Sequence, residues 1–279
     1  MLNRGRDLIK YTLDKKTDIY LNAEYKFSSR NILQAGERCL AAFKAGKNIV
    51  SRERHRKVIK TEFMGRKAYA KSYSPHHTDH TGNKLKNISL LETTAMREFR
   101  VLRKIIGLGL PAVLPLAVIE KSIRPFYKES IIITEAEKGV EASSIVSSEE
   151  ISLEKKREIF ERAWKYLEEL QRAGIFDSDY KFRNLLYWED NCEFSLVIFD
   201  KERARKMLNP LAGIKVRGKF IANWINLLVN SGALSPACAE KEIEKLKARL
   251  RGELNLSFLQ KIYLDRCIKR KLKVDIPGF

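Results

Sequence analysis

Residues 174–204 read GIFDSDYKFRNLLYWEDNCEFSLVIFDKERA. Asp177 and Asp179 precede a strand-like run, 184–188, that Asn184 opens, and Asp200 closes a second run, 194–200. Carboxylates beside buried strands are costly unless a cation neutralises them. Their order also suits one chemistry. Phosphoryl transfer needs a carboxylate to take the proton of the attacking hydroxyl, and an amide and a second carboxylate to hold a divalent cation against the phosphates. On that reading Asp179 is the base, and Asn184 and Asp200 are the metal ligands. The rival reading is a polar turn whose Asp and Asn side chains cap strand ends.

The first half of the chain offers an independent check. AYAKSY (68–73) places Lys71 on a strand, where its ammonium can neutralise the α- and β-phosphates of a nucleotide. MREFRVLRKI (96–105) places Glu98 on the next helix, where it can pair with Lys71; Glu92 is the alternative, because the intervening loop is long. Lys, Glu, Asp, Asn and Asp thus follow one another in the order of the protein-kinase signatures. The apolar run SIIITEAEKG (130–139) then falls where such chains cross between lobes, so the backbone of Glu135, Ala136 and Glu137 is the candidate adenine contact.

The surrounding elements fit an α+β chain of two lobes. SRNILQAGERCLAAFKAGK (29–47) has helical spacing, and the period then changes to two strands around a turn near 64–66. A polar loop, 74–87, leads into a helix over 90–106 with Leu91, Ala95, Phe99, Leu102 and Ile106 on one face. Ser147 and Glu150 suggest a capping box before a long helix that buries Ile159, Ala163, Leu167 and Leu170 and stops at Gly174. Residues 205–279 read as mainly helical and increasingly basic. Strands cluster first and helices last, which excludes an alternating doubly wound sheet. The expected division is an N-terminal extension (1–46), a β-rich N-lobe with one helix (47–138) and a mainly helical C-lobe (139–279).

The 54 Lys and Arg against 35 Asp and Glu give a formal charge of +19, which calls for an anionic partner. Nucleic acid is set aside, because aromatic and basic residues are sparsely interleaved and Trp164, Trp188 and Trp224 read as core. Cys39, Cys192, Cys238 and Cys267 lie far apart, as reduced thiols do in a cytoplasmic protein. The first residues carry no apolar signal region, and no run is long enough to span a membrane. HHTDH (76–80) brings His76, His77 and His80 together on a loop, read as solvated or substrate-facing and not as a metal site.

RHRKVIKTEFMGRKAYAKSY (54–73), EFRVLRKIIGLGLP (98–111), IIITEAEKG (131–139), GIFDSDYKFRNLL (174–186) and VIFDKERAR (197–205) resemble the lipopolysaccharide core kinases, the Kdo/WaaP family of the protein-kinase-like superfamily. The resemblance runs in order over roughly 50–205. It implies the bilobal kinase fold, ATP and Mg²⁺ as cofactors, and phosphorylation of a heptose or Kdo hydroxyl at the cytoplasmic face of the inner membrane. It also gives the charge a use, since basic patches attract anionic headgroups and phosphorylated glycolipids. There are departures. No G-x-G-x-x-G is present, and Arg54 and Arg56 of SRERHR (51–56) stand where glycine amides would meet phosphates. Asp177 occupies the histidine position of H-R-D, and Asp200-Lys201-Glu202 replaces D-F-G. The rival functions are a protein or small-molecule kinase on the same fold, or a catalytically silent kinase-like scaffold.

Overall fold

The computed structural model describes residues 8–23, 28–46, 48–53, 56–73, 92–124, 127–191, 193–201, 203–206 and 210–276. It forms two compact units, Met1–Glu137 and Lys138–Phe279.

The first unit is built on a seven-stranded antiparallel sheet: β1 (Leu8–Asp14), β2 (Thr17–Asn22), β3 (Ile49–Glu53), β4 (Arg56–Phe63), β5 (Arg66–Tyr73), β6 (Pro115–Arg124) and β7 (Tyr127–Glu135). The strand order is β1-β2-β6-β7-β5-β4-β3. Met64 and Gly65 join β4 to β5 with φ of 56° and 78°, the two left-handed residues a tight hairpin turn requires. The segment set apart in sequence as an extension supplies β1, β2 and the helix α1 (Ser29–Ala45), all within the first unit.

Period-two alternation gives the sheet two different faces. Ala68 and Ala70 of β5 join Ile19, Leu21, Ile59, Phe63, Ile131 and Ile133 in a core that α1 closes with Ile32, Ala35 and Cys39. Burial pushes the Cys39 thiol up to about 12, so it packs as a small apolar group. Lys71 and Tyr73 point to the opposite face, toward the second helix. That helix, α2 (Thr94–Gly107), begins later than its sequence suggests, because the Thr93 hydroxyl caps the Met96 amide. Its inner face carries Ile105 at 0 % exposure, and Ile106 is only half-buried. Leu91 lies outside the described residues.

The second unit is mainly helical. A short strand β8 (Val140–Glu141) and helix α3 (Ala142–Ser147) precede α4 (Leu153–Arg172), followed by β9 (Ile175–Asp177), a single 3-10 turn (Phe182–Asn184), β10 (Leu185–Asp190), β11 (Glu193–Ile198) and β12 (Ala204–Lys206). Helices α5 (Pro210–Asn230), α6 (Pro236–Leu254) and α7 (Phe258–Lys269) complete it. Rings of Phe160, Trp164, Tyr180, Phe182, Phe220 and Trp224 stack into one core, with neighbouring centroids 4.8–6.3 Å apart.

Two expectations are corrected in this unit. No capping box starts α4 at Ser147: that serine ends α3, and Ser152 caps α4 by accepting from the Lys155 amide. Trp188 is not core; it faces solvent from β10, where alternation turns Tyr187 inward instead. Residues 205–279 are mainly helical, as expected, and past α7 the basic segment Lys271–Lys273 folds back so that the Lys273 amide donates to Asn226. The long helix itself buries Ile159, Ala163, Leu167 and Leu170 and stops at Gly174 with φ +73°.

Candidate active site

In the first unit, β5 carries Lys71 beneath α2, and Glu98 reaches back from the helix. Lys71 Nζ lies 3.3 Å from Glu98 Oε1, with the two side chains 11 % and 3 % exposed. The Tyr73 hydroxyl donates to Glu98 Oε2, and the Lys71 ammonium stands 5.2 Å from the Tyr73 ring centroid. The carboxylate is therefore held at both oxygens. Glu92, the alternative partner, instead pairs with Arg100 at 2.7 Å.

The crossing segment is more committed to the sheet than its sequence implies. The Glu135 amide donates to the Leu114 carbonyl (2.8 Å) and the Ala136 amide to the Lys67 carbonyl (2.9 Å). The Glu135 carboxylate pairs with Arg66. Two of the three candidate adenine donors are thus already engaged. Arg56 opens β4 opposite Tyr73 of β5. Arg54 and the histidines His76, His77 and His80 lie outside the described residues.

In the second unit the loop between β9 and the 3-10 turn holds Asp179. Its amide donates to Asp177 Oδ1 at 2.9 Å. Asn184 Nδ2 donates to the Asp179 carbonyl at 2.9 Å and points at Asp179 Oδ2, 3.5 Å away. Asn184 is 3 % exposed, whereas the Asp179 side chain keeps 28 % of its surface. The loop is anchored below by Tyr180, whose hydroxyl donates to the Ala163 carbonyl. Burial raises the Tyr180 phenol well above its ordinary value.

Asn184 and Asp200 flank the same end of the β10–β11 hairpin, because Leu185 pairs with Ile198 and the Phe199 amide donates to the Asn184 carbonyl. Asn184 Nδ2 is spent on Asp179, so Asn184 Oδ1 and the Asp200 carboxylate are the oxygens that would hold a cation. Among the described residues no group of three or more His, Cys, Asp or Glu side chains gathers as a metal cage. Two oxygen donors suit Mg²⁺, which completes its shell with water and substrate phosphates.

Two lysines flank the Asp179 loop. Lys181 Nζ lies 2.7 Å from Asp179 Oδ1. Lys219 donates to the Ser178 carbonyl at 3.0 Å. Its ammonium is pushed below the usual lysine range by burial, then by Lys215, Lys271 and Arg203, with Asp179 opposing. Neither Lys181 nor Lys219 stood out in sequence, although Lys181 follows Asp179 by only two positions. In a chain this rich in lysine, such spacing carries no signal without the fold.

A β-rich region followed by a helical one, bearing these groups, is the architecture of the protein-kinase-like phosphotransferases. The chain belongs to the lipopolysaccharide kinase (Kdo/WaaP) family, whose model matches residues 42–211, more than half of its length. Membership makes it a phosphotransferase acting on a hydroxyl group and implies ATP as donor. Among solved structures it is similar to WaaP in complex with acyl carrier protein, with a TM-score of 0.55 over 82 % of this chain and 92 % of that one. At 16 % identity that likeness shows the fold. No curated protein shows a sequence match to the chain.

Proposed function

We propose that the protein transfers the γ-phosphoryl group of ATP to a hydroxyl of a lipopolysaccharide core sugar, heptose or Kdo, or of a related glycoconjugate. The observation that carries this reading is the setting of Asp179, a partly exposed carboxylate whose loop is fixed by Asp177 and Asn184 and flanked by Lys181 and Lys219. Asp179 accepts the proton of the sugar hydroxyl as its oxygen bonds to the γ-phosphorus, while the bond from that phosphorus to the β–γ bridging oxygen breaks and ADP leaves. Lys181 balances the charge that develops on the phosphoryl oxygens. Asn184 and Asp200 would hold Mg²⁺, which offsets the charge of the phosphates when bound. Lys71, oriented by Glu98, takes the α- and β-phosphates, joined by Arg56 and Arg54. The Glu137 backbone, together with the carbonyls of Glu135 and Ala136, takes the adenine.

The cations near Asp179 favour an acceptor that is itself anionic, as a Kdo carboxylate or a phosphorylated core sugar is. Attachment to the cytoplasmic face of the inner membrane through a basic surface is part of the same reading. No helix among the described residues is long and apolar enough to cross a membrane. Instead Phe258 and Leu259 are each 75 % exposed at the head of α7, and Ile262 is exposed one turn on. Arg266 and Lys269 follow, exposed on that helix, and Arg270 is exposed just past its end. An apolar tip with a basic flank suits an anionic bilayer surface.

ATP binding by calorimetry with and without Mg²⁺, followed by transfer to core oligosaccharide, tests the proposal. Asp179→Ala should lower kcat by about 10³-fold with ATP affinity changed little. Asp200→Ala should weaken binding only when Mg²⁺ is present. Full turnover in either variant would remove the role assigned to it. Nucleotide binding that ignores both Mg²⁺ and Asp200 would favour the silent scaffold.

A further inference from the structure

Asp177 and Lys201 form an ion pair at 2.7 Å whose side chains are 1 % and 0 % exposed. A pair buried so completely is a poor stability device, because desolvation of two charges offsets most of their attraction and apolar side chains of similar volume do as well. What it does instead is join two segments. Asp177 Oδ2 takes the Lys201 ammonium, while Oδ1 takes the Asp179 amide at 2.9 Å. The Asp177 carbonyl accepts from the Tyr180 amide at 3.2 Å, and Asp177 pairs with Ala204 across β9 and β12. Lys201 follows Asp200 directly, and its carbonyl accepts from the Ala204 amide at 3.1 Å. Its ammonium also lies 5.1 Å from the Tyr180 ring centroid.

One carboxylate therefore grips the loop of the candidate base with one oxygen and the segment of the candidate metal ligand with the other. The grip falls where it is needed. Asp200 sits at φ +53°, a left-handed conformation that a non-glycine residue keeps only when its surroundings impose it. No glycine follows Asp200 to absorb the turn.

We propose that Asp177 and Lys201 are positioning residues: a buried clamp that sets Asp179 and Asp200 relative to one another for phosphoryl transfer. The inference rests on the function proposed above. It touches neither substrate nor metal; it acts through its two neighbours.

Three double variants separate positioning from stability. In Asp177→Leu/Lys201→Met both oxygens of the clamp are gone, yet the core stays filled. In Asp177→Asn/Lys201→Gln a neutral hydrogen bond replaces the ion pair and the acceptor for the Asp179 amide remains. In Asp177→Asn/Lys201→Met only the link between the segments is cut. All three should melt within a few degrees of the wild type. The apolar pair should lose about 100-fold in kcat, the scale on which small misplacements of reacting groups act. The Asn/Gln pair should recover to within tenfold of wild type, and the Asn/Met pair should fall between the two.

Equal kcat in folded proteins of equal melting temperature would overturn the clamp. Should the apolar pair fail to fold, Asn/Met against Asn/Gln makes the same decision. If the wild type transfers no phosphate, or Asp179→Ala keeps full activity, the function proposed above fails separately. The clamp is then judged by amide exchange at Asp179. Exchange should be faster in the apolar pair and slow in Asn/Gln, and unchanged protection in the apolar pair would overturn it.

Discussion

Lys156 lies inside the second unit at 1 % exposure, with the Ser231 hydroxyl 3.4 Å from its Nζ. Burial lowers its ammonium below the ordinary 10.5, with Glu149 only partly opposing. The unfolded chain therefore holds that proton more tightly than the folded one. Below the lowered value the penalty is fully present; between it and 10.5 the folded lysine becomes neutral and the penalty fades. Lys156→Met should stabilise the protein by about 1 kcal/mol at pH 7, with the gain shrinking as pH rises through that window. Urea denaturation at pH 7 and pH 10 checks this, and an equal gain at both would refute the burial argument. Lys71 shows the opposite arrangement, since Glu98 receives its charge. That pairing was legible in sequence, because a strand lysine and a helix glutamate followed each other in the proper order. The Asp177–Lys201 pair was not. Both residues looked like departures from a motif, and only the fold, which brings the Lys201 ammonium to 2.7 Å from Asp177 Oδ2, shows them as a pair.

Among the elements, the join of β8 to β10 is tightly constrained. Gly139 has φ +119°, and a Cβ there would come within 2.6 Å of the Tyr187 carbonyl oxygen, a backbone atom that cannot step aside. Gly139→Ala should cost about 2–4 kcal/mol, from strain and from parting the strands. A shift of the urea midpoint with unchanged m-value measures it, and a loss under 0.5 kcal/mol would contradict the close approach. Long elements were readable because periodicity accumulates over several turns, as along α4. Their ends were not. Ser147 with Glu150 has the letters of a capping box, but Ser152 lies closer to the apolar face of α4 and takes the cap. Trp188 was misplaced for a related reason: a strand as short as β10 leaves too few residues to fix which of Tyr187 and Trp188 points inward. β1 and β2 escaped notice because LIKYTLD and TDIYLN mix Lys and Asp into their alternation.

For the molecule as a whole, the charge of +19 predicts that the proposed attachment to an anionic surface depends on salt. Binding to phosphatidylglycerol vesicles should fall about tenfold or more between 50 and 300 mM salt, as screening shortens to a few ångströms. Phe258→Ser/Leu259→Ser should weaken it about tenfold further at constant salt, through lost apolar burial. Sedimentation with vesicles reads both, and indifference to salt would dismiss the basic surface. The sheet carries a different consequence. β2 pairs along β6 from Thr17–Lys121 to Leu21–Ala117, so the first hairpin occupies one side of a strand whose Leu116, Ala117, Val118 and Ile119 are almost wholly buried. β1 in turn ends the sheet with alternating exposed residues, among them Lys10 and Asp14. A preparation trimmed to begin at residue 47 would keep most of the stretch that marks the family and lose this guard. Its bare β6 edge would recruit a strand from another molecule. Such a protein should leave the cell largely as inclusion bodies, with the full-length chain soluble under the same expression conditions.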